Sequence, residues 1–441
     1  MLFFVEPSNL KGEVTIPGSK SNTTRAVVIA TLAKGESVIE NPLPSADCLS
    51  TVQVYRGFGA EVLEMAEDRW VIRGVGGRLR VPEDVLNTGN SGTTTYIAIG
   101  TAALIDGYTV ITGDHQIRRR PAGPLLKAVQ DLGGWAISTR GDGSAPVVIR
   151  GVIQGGSTRL PGINSQWLTP LLINAPLAPR DTEIVVDDLQ ERPYIDMTMG
   201  WLTRRGIEFQ HEGYERFVIK GGQEYRAFRE RIPADWESAC FVMVAAAITD
   251  SEVTLYGLDT RDHQGDKVIV EILRAAGAEV EVRGYGEGGI RVKGGRPLTG
   301  MEIDCRDIPD APPILAVLGT QAEGETVLYN LGASTLKETN RPKSIAQELK
   351  KMGADIRYEG DRLIVRRSRL RGAVIDGHTD HRIVMATAVA GLVAEGVTVV
   401  TDAQYCRISF PNFYEVFRSL GARILRVPDP EDLQKTEEVG R

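Results

Sequence analysis

The sequence is poor in the residues that would announce a metal or redox centre. Its four cysteines, Cys48, Cys240, Cys305 and Cys406, form no CxxC pair, which excludes a zinc ribbon and a dithiol redox motif. Five histidines form no HExxH and no related ligand spacing. No metal and no organic cofactor are expected. Positive charge is not in excess either. The chain has 51 Lys and Arg against 58 Asp and Glu, a net charge of −7, which argues against a broad nucleic-acid surface. No apolar run reaches the length of a membrane span. The opening MLFFVEPS meets Glu6 too soon for a signal peptide. A cytoplasmic protein with no nucleic-acid or membrane partner is expected, and a monomer.

Glycine, in contrast, is abundant at 48 residues, and part of it is periodic. GFGAEV with Gly59, LGGWAI with Gly133, RRGIEF with Gly206, AAGAEV with Gly277, KMGADI with Gly353 and SLGARI with Gly421 recur about every 70 residues. Each string reads as a helix stopped by a left-handed Gly and followed by a strand. In five of the six, a second strand follows: WVIRG, VVIRG, FVIKG, IRVKG and LIVRR. With 441 residues the chain is long for one core. Six units in two domains imply three and three. The break falls near RERIPADWESACFVMVAAAI, where 231–234 reads as an extended connection and 239–248 as a buried helix of small residues.

Polar or cationic clusters stand at the starts of apolar helices in at least five units. IPGSKSNTTRAV reads as a strand over 13–17 and a helix over 26–32, with Lys20, Ser21 and Arg25 at the junction. Free N–H groups and the helix dipole favour an anion there, though solvated charges on a turn fit equally. It is not a Walker loop. NTGNSGTTTY, containing Asn90 and Gly92, is a donor-rich helix opening or a plain cap. IRRRPAGPL places three like charges ending at Arg120 before a helix. NSQWLTP begins with Asn164, Ser165 and Gln166, and ERPYID offers Arg192 and Tyr194. IPDAPPIL sets Asp310 at the mouth of an apolar helix, where burial would tune a carboxylate. LKETNRPK groups Lys337, Glu338 and Arg341. TDHRIVM puts His381 and Arg382 before another small-residue helix. Singly, most of these fit capping or surface polarity. Together they suit a cleft for small polyanions in an acidic protein.

PGSKSNTTR, GNSGTT, RRRPAGPL, NSQWLTPLLINAPLA, IPDAP, LKETNR and TDHRIVM, in this order and across nearly the whole chain, resemble the enolpyruvyl transferase superfamily. The branch acting on shikimate 3-phosphate is the most similar. The branch acting on UDP-N-acetylglucosamine is less so, since its Cys-bearing loop is absent around RRRPAG. The resemblance implies an α/β (α+β) fold: a two-domain inside-out α/β barrel with three repeats per domain. The domains would be 20–233, and 1–19 plus 235–441, with a hinge near 16–20 and 231–236. It implies an enzyme that moves the carboxyvinyl group of phosphoenolpyruvate to the 5-hydroxyl of shikimate 3-phosphate, in aromatic amino-acid biosynthesis. By resemblance, Lys20, Arg120, Arg341 and Arg382 hold phosphoenolpyruvate, with Asn90, Gly92 and Gln166 beside it. Lys20, Ser21, Arg25, Asn164, Ser165, Gln166, Arg192, Tyr194, Asp310 and Lys337 hold the acceptor. Asp310 is the expected base, Glu338 with Lys20 the proton carriers at the methylene, and Lys337 and His381 support them. Domain closure would exclude water.

Three positions depart from the pattern. Tyr96 stands where GNSGTT usually continues to Arg. Glu191 stands where a Ser usually holds the 3-phosphate, and a carboxylate there should repel it, unless Arg192 compensates. Ile408 replaces a Lys that some members carry. Asn164 also replaces a common phosphate-binding Ser. These leave open a diverged relative that uses shikimate or another cyclic polyol, or that catalyses an elimination. A non-catalytic binding protein has no reason to keep a base beside so many charges. A dinucleotide enzyme is disfavoured, because GYGEGG at 284–289 lies between two strand patterns and reads as a hairpin loop.

Overall fold

The computed structural model describes residues 1–286 and 288–428. Glu287 of the GYGEGG string and residues 429–441 of the second expected domain lie outside the described residues. The chain divides into two compact units. One, here the inserted unit, is Gly18–Pro233 with Asp262–Gly265. The other, the terminal unit, is Met1–Pro17, Ala234–Arg261 and the chain from Asp266 onward.

Twelve α-helices occur among the described residues: α1 Lys20–Leu32, α2 Ala46–Gly57, α3 Gly92–Ala102, α4 Gly123–Asp131, α5 Ser165–Asn174, α6 Arg192–Arg204, α7 Trp236–Ile248, α8 Ile269–Ala275, α9 Pro312–Gln321, α10 Arg341–Lys351, α11 His381–Gly391 and α12 Phe413–Ser419. The inserted unit holds three four-stranded sheets. Their strand orders are 229–231, 34–40, 69–75, 61–65; then 86–87, 108–112, 147–150, 135–138; then 156–161, 182–187, 216–219, 209–212. The terminal unit holds three more: 11–15, 252–256, 290–293, 279–282; then 302–304, 325–329, 362–366, 355–359; then 374–375, 398–400, 2–6, 423–427. In each of these six sheets the first pair is parallel and the next two are antiparallel, and 298–299 with 322–323 add a two-stranded parallel ribbon. The six repeats read from the glycines are thus six copies of one sheet pattern. The stopping glycines all adopt positive φ, from +71° at Gly206 to +114° at Gly59.

The sixth repeat carried no second strand in the sequence because that strand is the N-terminus. Leu2–Glu6 lies between 398–400 and 423–427, antiparallel to both. Phe3 and Val5 point into the core, and Phe3 stacks near Phe413 at 6.0 Å.

Helices α1, α3, α5, α7, α9 and α11 are buried along nearly their whole length. They are rich in Ala, Val, Ile, Gly and Thr, small enough to be surrounded on all sides. Two of their openings come earlier than the sequence indicates. Helix α1 begins at Lys20 rather than Ala26, because Ser19 Oγ accepts from Asn22 N at 3.4 Å and caps it. The preceding strand ends at Thr15, not Pro17. Helix α7 begins at Trp236 rather than Ala239, capped by Asp235, which accepts from Ser238 N at 3.2 Å. The segments where the chain passes from unit to unit match: Ile16-Pro17-Gly18-Ser19 and Ile232-Pro233-Ala234-Asp235. Ser19 N donates to Pro233 O and Asp235 N to Pro17 O, both at 2.8 Å. No helix among the described residues is long and apolar enough to cross a membrane.

The N-terminal strand yields a direct test. Phe3→Ala should cost roughly 3–5 kcal/mol. In urea unfolding followed by pulse proteolysis, the loss should fall on fragments of the terminal unit; an unchanged midpoint there would show that the strand is dispensable.

Candidate active site

In each unit most of the expected residues lie at or near helix openings. In the inserted unit, Lys20 is the first residue of α1, with Nζ 3.7 Å from Asp47 Oδ2. Ser21 follows and is buried. Arg25 is also buried and spends its donors on the protein. Its Nε reaches Thr198 Oγ1 at 2.9 Å, Nη1 the Ser21 carbonyl at 3.0 Å and Nη2 the Tyr194 carbonyl at 3.1 Å. Burial lowers its pKa to about 10, against an opposing pull from Tyr194. Arg25 therefore ties α1 to the first turn of α6, which carries Tyr194.

Gly92 opens α3. A Cβ there would collide with the Arg120 guanidinium, which would have to shift, and meet Gln166 Oε1 at 3.4 Å, so glycine lets the guanidinium lie directly against α3. Gln166 Nε2 donates to Thr93 Oγ1 at 3.2 Å. Asn90 braces the neighbouring loop through Asp114 and Gln116. Tyr96, the first departure, is a buried anchor. Its hydroxyl donates to the Pro121 carbonyl at 3.0 Å, as does Trp167 Nε1 at 3.1 Å. These bonds fix the residue next to Arg120.

Asn164 caps α5, accepting from Gln166 N at 3.0 Å. Glu191, the second departure, is buried and left-handed at φ 56°. It is not turned away from the helix opening. Its Oε2 accepts from Ser165 N at 2.8 Å and Ser165 Oγ at 2.7 Å. An internal carboxylate thus sits on Ser165, one of the residues expected to hold the acceptor, at a helix opening suited to an anion. Arg192, expected to offset that charge, lies over the Tyr214 ring at 5.2 Å, with Nε on the Leu189 carbonyl at 3.2 Å. Ile408, the third departure, is buried in the apolar core.

In the terminal unit the charges converge on one side chain. Arg341, the first residue of α10, is 1% exposed. Its Nη1 pairs with Asp310, its Nη2 with Glu338, and its Nε with Asp380 Oδ2 at 3.0 Å. Burial would lower its pKa, but Asp380, Glu338 and Asp310 together raise it. Lys337 Nζ lies 4.0 Å from Asp310 Oδ2. Asp380 caps α11, accepting from Arg382 N at 2.9 Å, and also accepts from Thr339 Oγ1 at 2.9 Å. His381 is buried, with Nδ1 3.9 Å from Asp380 Oδ1. Arg382 pairs with Glu237 of α7 and lies over Phe241 at 5.6 Å. Glu338, Asp380 and His381 have ligand atoms within 4.8 Å of one another. Arg341 already neutralises the two carboxylates, so a metal cation would have to displace a guanidinium.

Sequence reading overlooked Asp380, Glu237 and Asp266. Asp380 was visible inside TDHRIVM. Asp266, in the turn Gly265–Val268, carried no signal. It is 3% exposed, and its Oδ1 has no hydrogen-bond partner. Its pKa stands well above the ordinary 3.8, first because of burial, then because of Asp310 and Asp235; Lys337 opposes them.

The sequence model of one family, EPSP synthase (3-phosphoshikimate 1-carboxyvinyltransferase), matches residues 5–417. A relative from Acetivibrio thermocellus named 3-phosphoshikimate 1-carboxyvinyltransferase is 49% identical over 424 residues, covering 96% of this chain and 99% of the relative. One of the same name from Methanocaldococcus jannaschii is 40% identical over 430 residues, with 96% and 99% covered. A solved EPSP synthase from Acinetobacter baumannii superposes with a TM-score of 0.81 at 29% identity, covering 96% of this chain and 99% of that one.

Asp266 generates a pH test. A raised folded value means that the native chain holds this proton more tightly than the unfolded chain. The stability it contributes is full below 3.8 and is lost as pH rises through the raised value. In Asp266→Asn, followed from pH 5 to pH 8.5, the melting temperature relative to wild type should therefore improve as pH rises and level off once the raised value is passed. A difference that stays constant across that range would mean that Asp266 does not titrate.

Proposed function

The chain belongs to the EPSP synthase family, and we propose from that premise how its residues transfer the carboxyvinyl group of phosphoenolpyruvate to the 5-hydroxyl of shikimate 3-phosphate. The observation that carries the reading is the cluster in which Arg341 holds Asp310 and Glu338, with Lys337 beside Asp310. The chemistry needs a proton donor, a proton acceptor and cations. Protonation of the methylene carbon makes C2 electrophilic. The acceptor hydroxyl attacks C2 as a base takes its proton. The resulting ketal phosphate then loses a methyl proton, the C2–O bond to phosphate breaks, and inorganic phosphate leaves.

In this reading Asp310 is the base, Glu338 with Lys20 carries protons at the methylene, and His381 supports Asp380. Lys20, Arg120, Arg341 and Arg382 take the carboxylate and phosphate of phosphoenolpyruvate. Lys20, Ser21, Ser165, Gln166, Tyr194 and Lys337 orient the acceptor. Arg25 contributes by fixing α6, and Asn90 by fixing the loop beside Gly92. Because Arg341 and Arg382 already pair with carboxylates, an arriving anion has to share them. The substrates are small anions, and a monomer working in the cytoplasm is part of the same proposal.

One observation favours a second reading. Glu191 takes both donors of Ser165, so a phosphorylated acceptor must compete with an internal carboxylate. An acceptor without the 3-phosphate, such as shikimate, would not. Phosphate release from phosphoenolpyruvate separates the two. Release with shikimate 3-phosphate and none with shikimate is the expected result; the reverse would establish the second reading.

Two variants sharpen it. Asp310→Asn should lower kcat by about 100-fold or more, as loss of a general base does, while phosphoenolpyruvate still binds in calorimetry. Glu191→Ser should lower KM for shikimate 3-phosphate by about tenfold, or about 1.4 kcal/mol. A raised KM would instead make Glu191 a structural support of α5.

A further inference from the structure

We propose that Glu348, on the last turns of α10, is a positioning residue for the Arg341 cluster, acting through the turn at 376–379. Its carboxyl group is 1% exposed, and a buried carboxylate persists only where it is paired. Three partners meet it. Lys351 Nζ lies 2.6 Å from Oε2, the Asp376 backbone N–H donates to Oε2 at 2.9 Å, and His378 Nε2 lies 2.8 Å from Oε1. None of these groups belongs to the proposed chemistry. Two of them belong to the turn that delivers Asp380, His381 and Arg382.

That turn needs holding. His378 and Thr379 are both left-handed, at φ 53° each, a conformation costly for a β-branched residue. Side chains fix every backbone N–H from 376 to 379. Glu348 takes Asp376 N, Thr401 Oγ1 takes Gly377 N at 3.0 Å, Asp376 Oδ1 takes His378 N at 2.7 Å, and Asp402 Oδ2 takes Thr379 N at 2.9 Å. Asp380 N then closes onto the Gly377 carbonyl at 2.9 Å. Gly377 itself is hemmed in: a Cβ there would stand 2.5 Å from the Thr401 carbonyl. The turn therefore has one arrangement, and Asp380 leaves it aimed at Arg341.

Helix α10 grips this segment at two points. Arg341 and Glu348 are seven residues apart, two turns on one face and about 10 Å along the axis. Arg341 holds Asp380, and Glu348 holds Asp376 and His378. A grip at one point would let the segment pivot. A grip at two points sets the position of Asp380 and, through it, the orientation of the guanidinium that carries Asp310 and Glu338.

The test uses Glu348→Gln in the full chain, and its kinetic arm rests on the transferase reading above. Its exchange arm does not. The variant should fold, with a melting temperature within about 5 °C of wild type. It should lose about tenfold or more in kcat/KM for phosphoenolpyruvate, while KM for shikimate 3-phosphate moves less than about threefold. Hydrogen exchange of the ligand-free chain should quicken across 376–379 and nowhere else in that unit. His378→Gln, which removes one partner of three, should fall between the two. If Glu348→Gln does not fold, His378→Gln carries the same comparison. Unchanged kinetics and exchange would overturn the proposal, as would equal losses for both substrates. If wild-type enzyme releases no phosphate with either acceptor, the transferase reading fails, and the exchange pattern alone decides the role of Glu348.

Discussion

One buried guanidinium sets the terms for the terminal unit. Arg341 is almost fully shielded from water, and three carboxylates from three helix openings close on it. Removing a guanidinium from water costs several kcal/mol, and so does burying each carboxylate. Arg341 and Asp380 are almost fully shielded and need their partners to stay charged, while Asp310 and Glu338 keep some contact with water. The openings of α9, α10 and α11 must therefore meet at one place, or the shielded charges must be left unpaired at great cost. This requirement acts together with the local start signals, Pro312 for α9, Asn340 for α10 and Asp380 for α11.

The two units answer the same problem differently. Both offer the openings of three buried helices, and both use a capping side chain to end the preceding extended segment, Ser19 in one and Asp235 in the other. In the inserted unit the openings are furnished mainly with hydroxyls and amides: Ser19, Ser21, Ser91, Asn164, Ser165 and Gln166. In the terminal unit they are furnished with ions. At the opening of α5, Glu191 places a carboxylate on donors that Asn164, Ser165 and Gln166 would otherwise offer as neutral groups. A helix opening is selective for negative charge, not for its source. A side chain and a ligand compete for it on equal physical terms.

Much of this was legible in the residues. The six stopping glycines could be read because only glycine takes positive φ there without strain, and the family likeness, six-fold α/β plan and transferase identity agree with the comparisons. Two helices start ahead of the runs 26–32 and 239–248 that the sequence indicates, because Ser19 and Asp235 cap them. What stayed hidden was anything that depends on residues distant in sequence meeting in space. The last strand of the sixth repeat was invisible because it is 2–6, some 400 residues away along the chain. The partners of Arg341 could be suspected only in part, because Asp380 is 39 residues further on. Glu191 read as a repelling charge because sequence shows the residue and not its hydrogen bonds. Tyr96 read as a lost cation when it is a brace for the residue beside Arg120.

The placement of Leu2–Glu6 has a consequence for how the protein is made. A ribosome delivers this strand before the whole inserted unit, yet both of its neighbours, 398–400 and 423–427, emerge only after that unit and most of the terminal unit. The inserted unit, by contrast, has all its strands by residue 231. It can close while translation continues, and the N-terminal strand, with Phe3 and Val5 exposed, has to wait through that whole interval. Nascent chains should therefore carry a folded inserted unit beside a strand, 2–6, that is still unpaired and apolar on one face.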